Sequence, residues 1–239
     1  MRNISLITRR ELGAFLKAPI GYVIAAIVLF VDGLLFNYYA LGGTPKYSAE
    51  VLELFFAFAA FMTMVSGVLI SMRLFAEERQ LGTLTLLMTA PVGEHEIVLG
   101  KFLSALVFLA LYTLLTIYMP LMIFVNGKLS VGHIAGGYAG LLLLGAQAIA
   151  IGMFASSLTS SQVVAAITAA AMVAAIYLMH LGSTVADPPM RDVLRFISQK
   201  GHLQWQRGIL QFQDVFYFIS STYLFLLLST HVLKARRWR

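Results

Sequence analysis

The chain has no cysteine at all, and only 12% of its 239 residues are charged. The first absence excludes disulfides, thiolate metal sites and cysteine nucleophiles. The second is about half the share that soluble domains carry. It accompanies 59% hydrophobic residues and a mean hydropathy of +0.84, and together they indicate an integral membrane protein. Nucleotide-cradling loops are missing too. A Walker A loop needs Gly-x4-Gly-Lys-[Ser/Thr]. Gly100-Lys101 is the only candidate ending, but Phe102 follows it and His95 stands where the first glycine belongs. His95-Glu96 lacks the second histidine of a metalloprotease helix, because Leu99 occupies that place. His133, His202 and His231 show no metal spacing. Ser156, Ser157, Ser160 and Ser161 read as a turn without a paired base. No metal, cofactor or catalytic residue is expected in this chain. A cleavable leader is not expected either, since the basic residues 1–10 run into an amphipathic segment and then a full-length span.

What is present is long apolar runs. A membrane helix needs roughly 20 apolar residues, and six stretches provide them: 19–41, 52–72, 102–125, 134–158, 163–182 and 215–233. Pro19 suits a helix start, while Gly42, Gly43 and Pro45, Asn126-Gly127, and Asp187-Pro188-Pro189 end three of the runs. An even number of spans puts both termini on one side. That side collects eleven of the seventeen basic residues, among them Arg9, Arg10, Arg73, Arg79 and Lys101. The positive-inside rule makes it the cytoplasm. Trp238 would anchor the inner surface, and Tyr38 and Tyr39 the outer one. The net charge of +6 then needs no nucleic acid to explain it.

Before the first span, Ile4, Leu6, Ile7, Leu12, Phe15 and Leu16 alternate with basic residues, which predicts an amphipathic helix along the inner leaflet. Residues 183–214 lie outside and are too apolar for a tether; short amphipathic helices that re-enter and cap the spans are expected there. The expected fold is all-α, with one transmembrane domain over residues 1–239.

Residues 73–101 form a charged, helix-prone loop between spans two and three. Lipid does not tolerate Arg73, Glu77, Glu78 and Arg79 together, so the run must meet water. Glu77 and Glu78 are spaced to pair with Arg73 and Arg79. Gly82-Thr83 predicts a break and a cap, and Leu81, Leu84, Leu87 and Met88 share one face of a second short helix that Pro91 ends. A merely solvated loop is the plain alternative; ordered helical pieces over this length favour a handle for a soluble partner.

Glu77-Glu78-Arg79-Gln80-Leu81-Gly82-Thr83-Leu84, then Leu86-Leu87, Thr89-Ala90-Pro91-Val92 and Glu96-Ile97-Val98-Leu99-Gly100-Lys101 resemble the cytoplasmic signature of ABC-2 type transporter permeases. Arg10-Glu11-Leu12 and Pro19-Ile20-Gly21-Tyr22-Val23 are similar to the amino-terminal segment of that family. Arg207-Gly208-Ile209-Leu210, Asp214-Val215-Phe216-Tyr217-Phe218 and the Arg236-Arg237-Trp238 tail resemble its gliding-motility-associated branch. The resemblance implies six spans, an interfacial entrance helix, a coupling helix after span two, and two permeases, identical or paralogous, on two separate ABC-type ATPase subunits that bind ATP and Mg. It implies export from the cytoplasm across a bacterial inner membrane, with room for a periplasmic or accessory membrane subunit. Arg73, Glu77, Glu78, Arg79, Gly82, Thr83, Leu84, Leu87 and Pro91 would carry ATPase coupling. Thr85 departs from the pattern, standing where a glutamate is common.

Two further features remain open. Gly132, Gly136 and Gly140 form two overlapping Gly-x3-Gly units, suited to close packing within the chain or across a dimer. Asp32 lies well inside span one, where a charge needs protein or water around it; it is a candidate for a substrate path, a proton-sensitive point or a hydrogen-bonded structural group. Besides the permease, other readings fit: a scaffold or mechanotransmission subunit that docks an ATPase or other soluble partner without transport, and a proton-driven carrier acting through Asp32. The absence of broken helices within the spans counts against the carrier.

Overall fold

The computed structural model describes residues 2–42, 47–83, 92–126 and 130–237. Among these residues every regular element is helical: α1 (Arg2–Lys17), α2 (Pro19–Leu41), α3 (Ser48–Ser71), α4 (Arg73–Gln80), α5 (Glu94–Leu115), α6 (Tyr118–Asn126), α7 (Val131–Leu158), α8 (Gln162–Val185), α9 (Met190–Ile197) and α10 (Phe212–Arg237). Two 3-10 turns, Gln199–His202 and Gln204–Arg207, follow α9. Six stretches are long and apolar enough to cross a membrane: Pro19–Tyr39, Ser48–Gln80, Glu94–Val125, Val131–Leu158, Gln162–Val185 and Phe212–Ala235. The protein is therefore a multi-pass membrane protein. Exposed Ile27 and Phe30 on α2, Ile167 on α8 and Phe216 on α10 give its outer surface the apolar character that lipid requires.

Local chemistry sets the helix ends. Pro19 opens α2, where its missing N–H costs nothing. The Ser130 hydroxyl accepts from the Gly132 N–H at 3.2 Å and caps α7. Glu96 accepts from the Gly93 N–H at 3.3 Å at the start of α5. Span three differs from its sequence reading as one continuous helix over 102–125. It is interrupted at Thr116–Ile117, between α5 and α6. Pro120 has no N–H to give to the Thr116 carbonyl, so the α-helical ladder cannot continue there. That carbonyl is taken instead by the Met119 N–H at 3.0 Å.

α7 is the central helix, packed against α3, α5, α8 and α10. Around it are two apolar clusters. The first joins Ile7 and Phe15 of α1 to Phe75, Phe102, Met153 and Leu233, which brings both ends of the described chain to one end of the bundle, here called the terminal face. The second joins Phe56 of α3 to Tyr138, Leu141, Trp205 and Phe218.

The 186–211 segment enters this second cluster. Trp205 is fully buried, its ring set edge-on to Phe56 at 6.3 Å. Gln199 donates to Gln147 Oε1 at 2.7 Å, and Gln147 donates to Ser221 at 2.7 Å, so the segment reaches past the midpoint of the 28-residue α7. His202 meets Asp214 at 2.8 Å and the Phe196 carbonyl at 3.0 Å, and it stacks on Tyr217.

The glycines on α7 have separate surroundings. At Gly140 a Cβ would overlap the buried Trp205 ring; at Gly136 it would meet only the Gly208 carbonyl oxygen at 3.7 Å, and at Gly132 the Ser130 Oγ at 3.4 Å. Gly140 therefore seats an aromatic side chain of the same chain. Gly140→Ala is expected to lower thermal stability in detergent by about 1–3 kcal/mol through overpacking. Gly136→Ala is expected to be neutral or to stabilise by roughly 0.5–1 kcal/mol, the usual helix preference for alanine.

Candidate functional site

At the terminal face α3 passes into α4 almost without interruption. Met72 between them keeps helical angles, and its N–H bonds the Val68 carbonyl at 3.0 Å. The result is one rod, Ser48–Gln80, of 33 residues. Arg73 and Glu77 pair one turn apart at 2.8 Å, the spacing at which such side chains meet on a helix. The rod ends at Gly82, whose φ of +71° is left-handed and open to glycine without strain. The Thr83 hydroxyl donates back to the Glu78 carbonyl at 3.3 Å. Leu84, Leu87 and Pro91, like Gly43, Pro45, Gly127 and Trp238, lie outside the described residues.

Two sets of contacts hold this rod. The first comes from the end of α7. The Ser156 hydroxyl accepts from the Phe75 and Ala76 N–H groups at 3.1 and 2.9 Å and donates to the Met72 carbonyl at 2.8 Å. Arg79 donates to the Ser157 and Thr159 carbonyls at 3.0 and 2.9 Å. Ser156 and Ser157, read from sequence as part of a turn, are buried residues of α7; only positions 159–161 are turn. A buried serine at a helix end is well placed to satisfy backbone donors that water cannot reach.

The second set is ionic. Lys101, near the start of α5, has only 1% of its side chain exposed. Its ammonium lies 2.8 Å from Glu78 Oε1, 3.4 Å from Glu11 Oε1, and 5.6 Å from the Phe75 ring centroid. Arg10 closes the group, paired with Glu11 and 3.7 Å from Glu78. The four charges cancel. A buried ion set of this kind is weak evidence for stability, but removing one member leaves an uncompensated buried charge. The network ties α1 and α5 to the rod. α1 is further tied to α5 by Asn3, which donates to Glu96 at 3.0 Å, and by Thr8, which donates to the Gly100 carbonyl at 3.2 Å. Burial pushes the Glu11 carboxyl up, but Lys101 and Arg10 outweigh it and hold it below the usual carboxylate range.

The sequence marks Arg73, Glu77, Glu78 and Arg79 as one charged run, but the structure divides their work. Arg73 and Glu77 pair locally, Glu78 turns inward to Lys101, and Arg79 binds α7. Lys101 closes the cytoplasmic signature and Arg10-Glu11 opens the amino-terminal one, but neither motif joins them to Glu78, and neither names them as coupling residues. Ser156 stands outside both.

The same rod lines a groove of about 860 Å³ toward the opposite end of the bundle. One wall is α3 between Ala57 and Leu69, the other is α8 between Ala166 and Leu178, and Glu53, Lys200, Gln204 and Arg207 form its polar end. Arg207 donates to Glu53 at 2.6 Å across that end. Asp32 lies elsewhere. It is 4% exposed on α2 and faces α3. A charged carboxylate at the centre of a membrane helix costs about 2.5–3.5 kcal/mol. Among the described residues no group of three or more His, Asp or Glu could hold a metal.

The described residues thus form an all-helical, six-span bundle with a clamped charged rod at one end and an apolar groove along the same rod. The sequence profile of the family described as "ABC-2 family transporter protein" matches residues 12–236, and the chain belongs to that family. No curated protein matches it. Permeases of this family are non-catalytic, pair with an ATPase subunit and often form oligomers.

Two outcomes follow for the clamp. Ser156→Ala is expected to cost about 1–3 kcal/mol by stranding buried donors and to speed amide exchange at Phe75 and Ala76. The Glu11 contribution is fully present above the ordinary carboxylate range and is lost as pH falls through its lowered value. Thermal stability in detergent should therefore fall on acidification more steeply in the parent chain than in Glu11→Gln.

Proposed function

We propose that this chain is the transmembrane subunit of an ATP-driven exporter, powered by a separate ABC-type ATPase that grips the terminal face. What supports the reading most is one physical connection: a single rod carries the charged run Arg73–Glu77–Glu78–Arg79 at one end and a wall of the apolar groove along the rest. Displacement at the first must reach the second. The terminal face is cytoplasmic on the positive-inside argument, in a bacterial inner membrane. α1 is the amphipathic interfacial helix. Gly82 and Thr83, with the signature residues Leu84, Leu87 and Pro91 that follow them in the chain, are the part that meets the ATPase.

The groove between α3 and α8 is the path for substrate, with a second permease copy or a paralogue completing it. Residues 183–214 cap the path on the outer side and are the surface for any periplasmic or accessory subunit. The gliding-motility-associated branch is the finer assignment, carried by the motif around Arg207 and Asp214. The switch between arrangements draws its energy from the different affinities of nucleotide for the two states of the motor.

The test is to capture the full-length chain from membranes in mild detergent and identify what accompanies it. A nucleotide-hydrolysing subunit should co-elute, with substrate-stimulated turnover. Glu77→Ala combined with Glu78→Ala should weaken the coupling between permease and ATPase by roughly 0.5–2 kcal/mol while leaving ATP binding intact. Turnover indifferent to that double variant would favour a docking scaffold over a transporter. Labelling of a cysteine at Gln80 from outside the cell would rule the exporter out.

A further inference from the structure

The geometry points to Asp32 as a reversible proton-binding site: its carboxyl carries a proton in the packed seam between spans one and two at neutral pH and releases it as pH rises.

Three observations support this. Asp32 is buried, and its Oδ1 has no hydrogen-bond partner among the described residues. No basic side chain pairs with it there. An ionised carboxylate would be left with nothing to hold it; a carboxylic acid can rest in an apolar seam.

The second observation is space. The cavity at the carboxyl is about 10 Å³, at the lower limit for one water molecule. Beyond Asp32 it is walled by Leu35, Phe36, Tyr39, Val51, Phe55 and Phe58. A bare metal cation needs several oxygen ligands, and this wall does not offer them. A transported solute does not fit. The proton is the ligand this volume admits.

Third, the site sits beside the Thr116–Ile117 interruption of span three. Gly33 faces Met119, just beyond the Thr116–Ile117 break, at a distance where an added Cβ would be 3.6 Å from the methionine methyl. Broken helices at membrane depth persist where protein or a water path satisfies the freed backbone. The polar groups around the site are hydroxyls. Tyr112 of α5 and Tyr138 of α7 lie within electrostatic reach of Asp32; Tyr112 bonds Ser66 of α3, and Tyr138 bonds Thr116. Tyr39 is the titratable neighbour on α2 itself. Lys101 shares α5 with Tyr112 but stands eleven residues away, about 16 Å along the axis.

The experiment uses the full chain in lipid nanodiscs. Dicyclohexylcarbodiimide, which enters lipid and reacts with carboxylic acids but not with carboxylates, is applied across a pH series, and the modified residue is mapped by mass spectrometry. Infrared spectra of the same samples give a readout that does not depend on reagent access. Asp32 should be modified at neutral pH, progressively less as pH rises, and equally in sodium and in choline buffer. The exposed Glu50 should stay unmodified. The infrared spectrum should show a protonated-carboxyl C=O band at neutral pH that Asp32→Asn removes. If that band is absent at neutral pH, or if modification does not depend on pH, or if sodium protects Asp32, the proposal fails.

Discussion

Lys101 places a positive charge where almost no water reaches it, and the terminal face is organised around neutralising that charge. Glu78 and Glu11 come from helices far apart in the chain, and both must be present together with Arg10 for the sum to vanish. An isolated ion would cost several kcal/mol in such surroundings. The requirement therefore acts as an assembly rule. α1, the end of the long rod and the start of α5 satisfy their charges only when all three are docked. Ser156 imposes a second condition of the same kind with uncharged groups, since its hydroxyl accepts from the buried Phe75 and Ala76 N–H groups only when α7 is docked.

The spans were legible because lipid imposes a coarse and uniform demand, a run of apolar residues of fixed length. The charged run at 73–79 was legible for the opposite reason, because it breaks that demand. What the residues touch was not legible. Glu78 and Lys101 are separated by 23 positions and Glu11 and Lys101 by 90, and no local pattern encodes such pairs. The interruption of span three was written in the sequence at Pro120 but masked by its setting. Proline is tolerated in membrane helices, so hydropathy passes over it, and the absence of broken helices can no longer be held against a carrier. The 183–214 segment showed its apolarity but not its depth, because Gln199 and Trp205 owe their burial to Gln147 and Gly140 on another helix.

Most of the buried carboxyl, amide, imidazole and phenol side chains have a partner among the described residues, although Trp205 Nε1 and Thr222 Oγ1 have none there. Gln147 is satisfied from both sides by Gln199 and Ser221, and His202 by Asp214 and the Phe196 carbonyl. Tyr138 and Tyr112 each find a hydroxyl. Satisfied networks of this kind fix one arrangement of helices in a medium where apolar contacts alone do not choose between neighbours. Asp32 is the carboxyl that departs from the pattern.

Gly67 is one of several tight seats of the long rod on α7: a Cβ there would come within 2.8 Å of the Ala148 Cβ. It lies thirteen residues from Gln80 and fourteen from Glu53, about 20 Å in either direction at helical rise. The rod meets α7 just as tightly on either side of that point, Phe56 lying against Gly137 and Ser71 against Gly152. Helices keyed at three levels move as a pair, so a push at the charged tip would carry the central helix along with the rod.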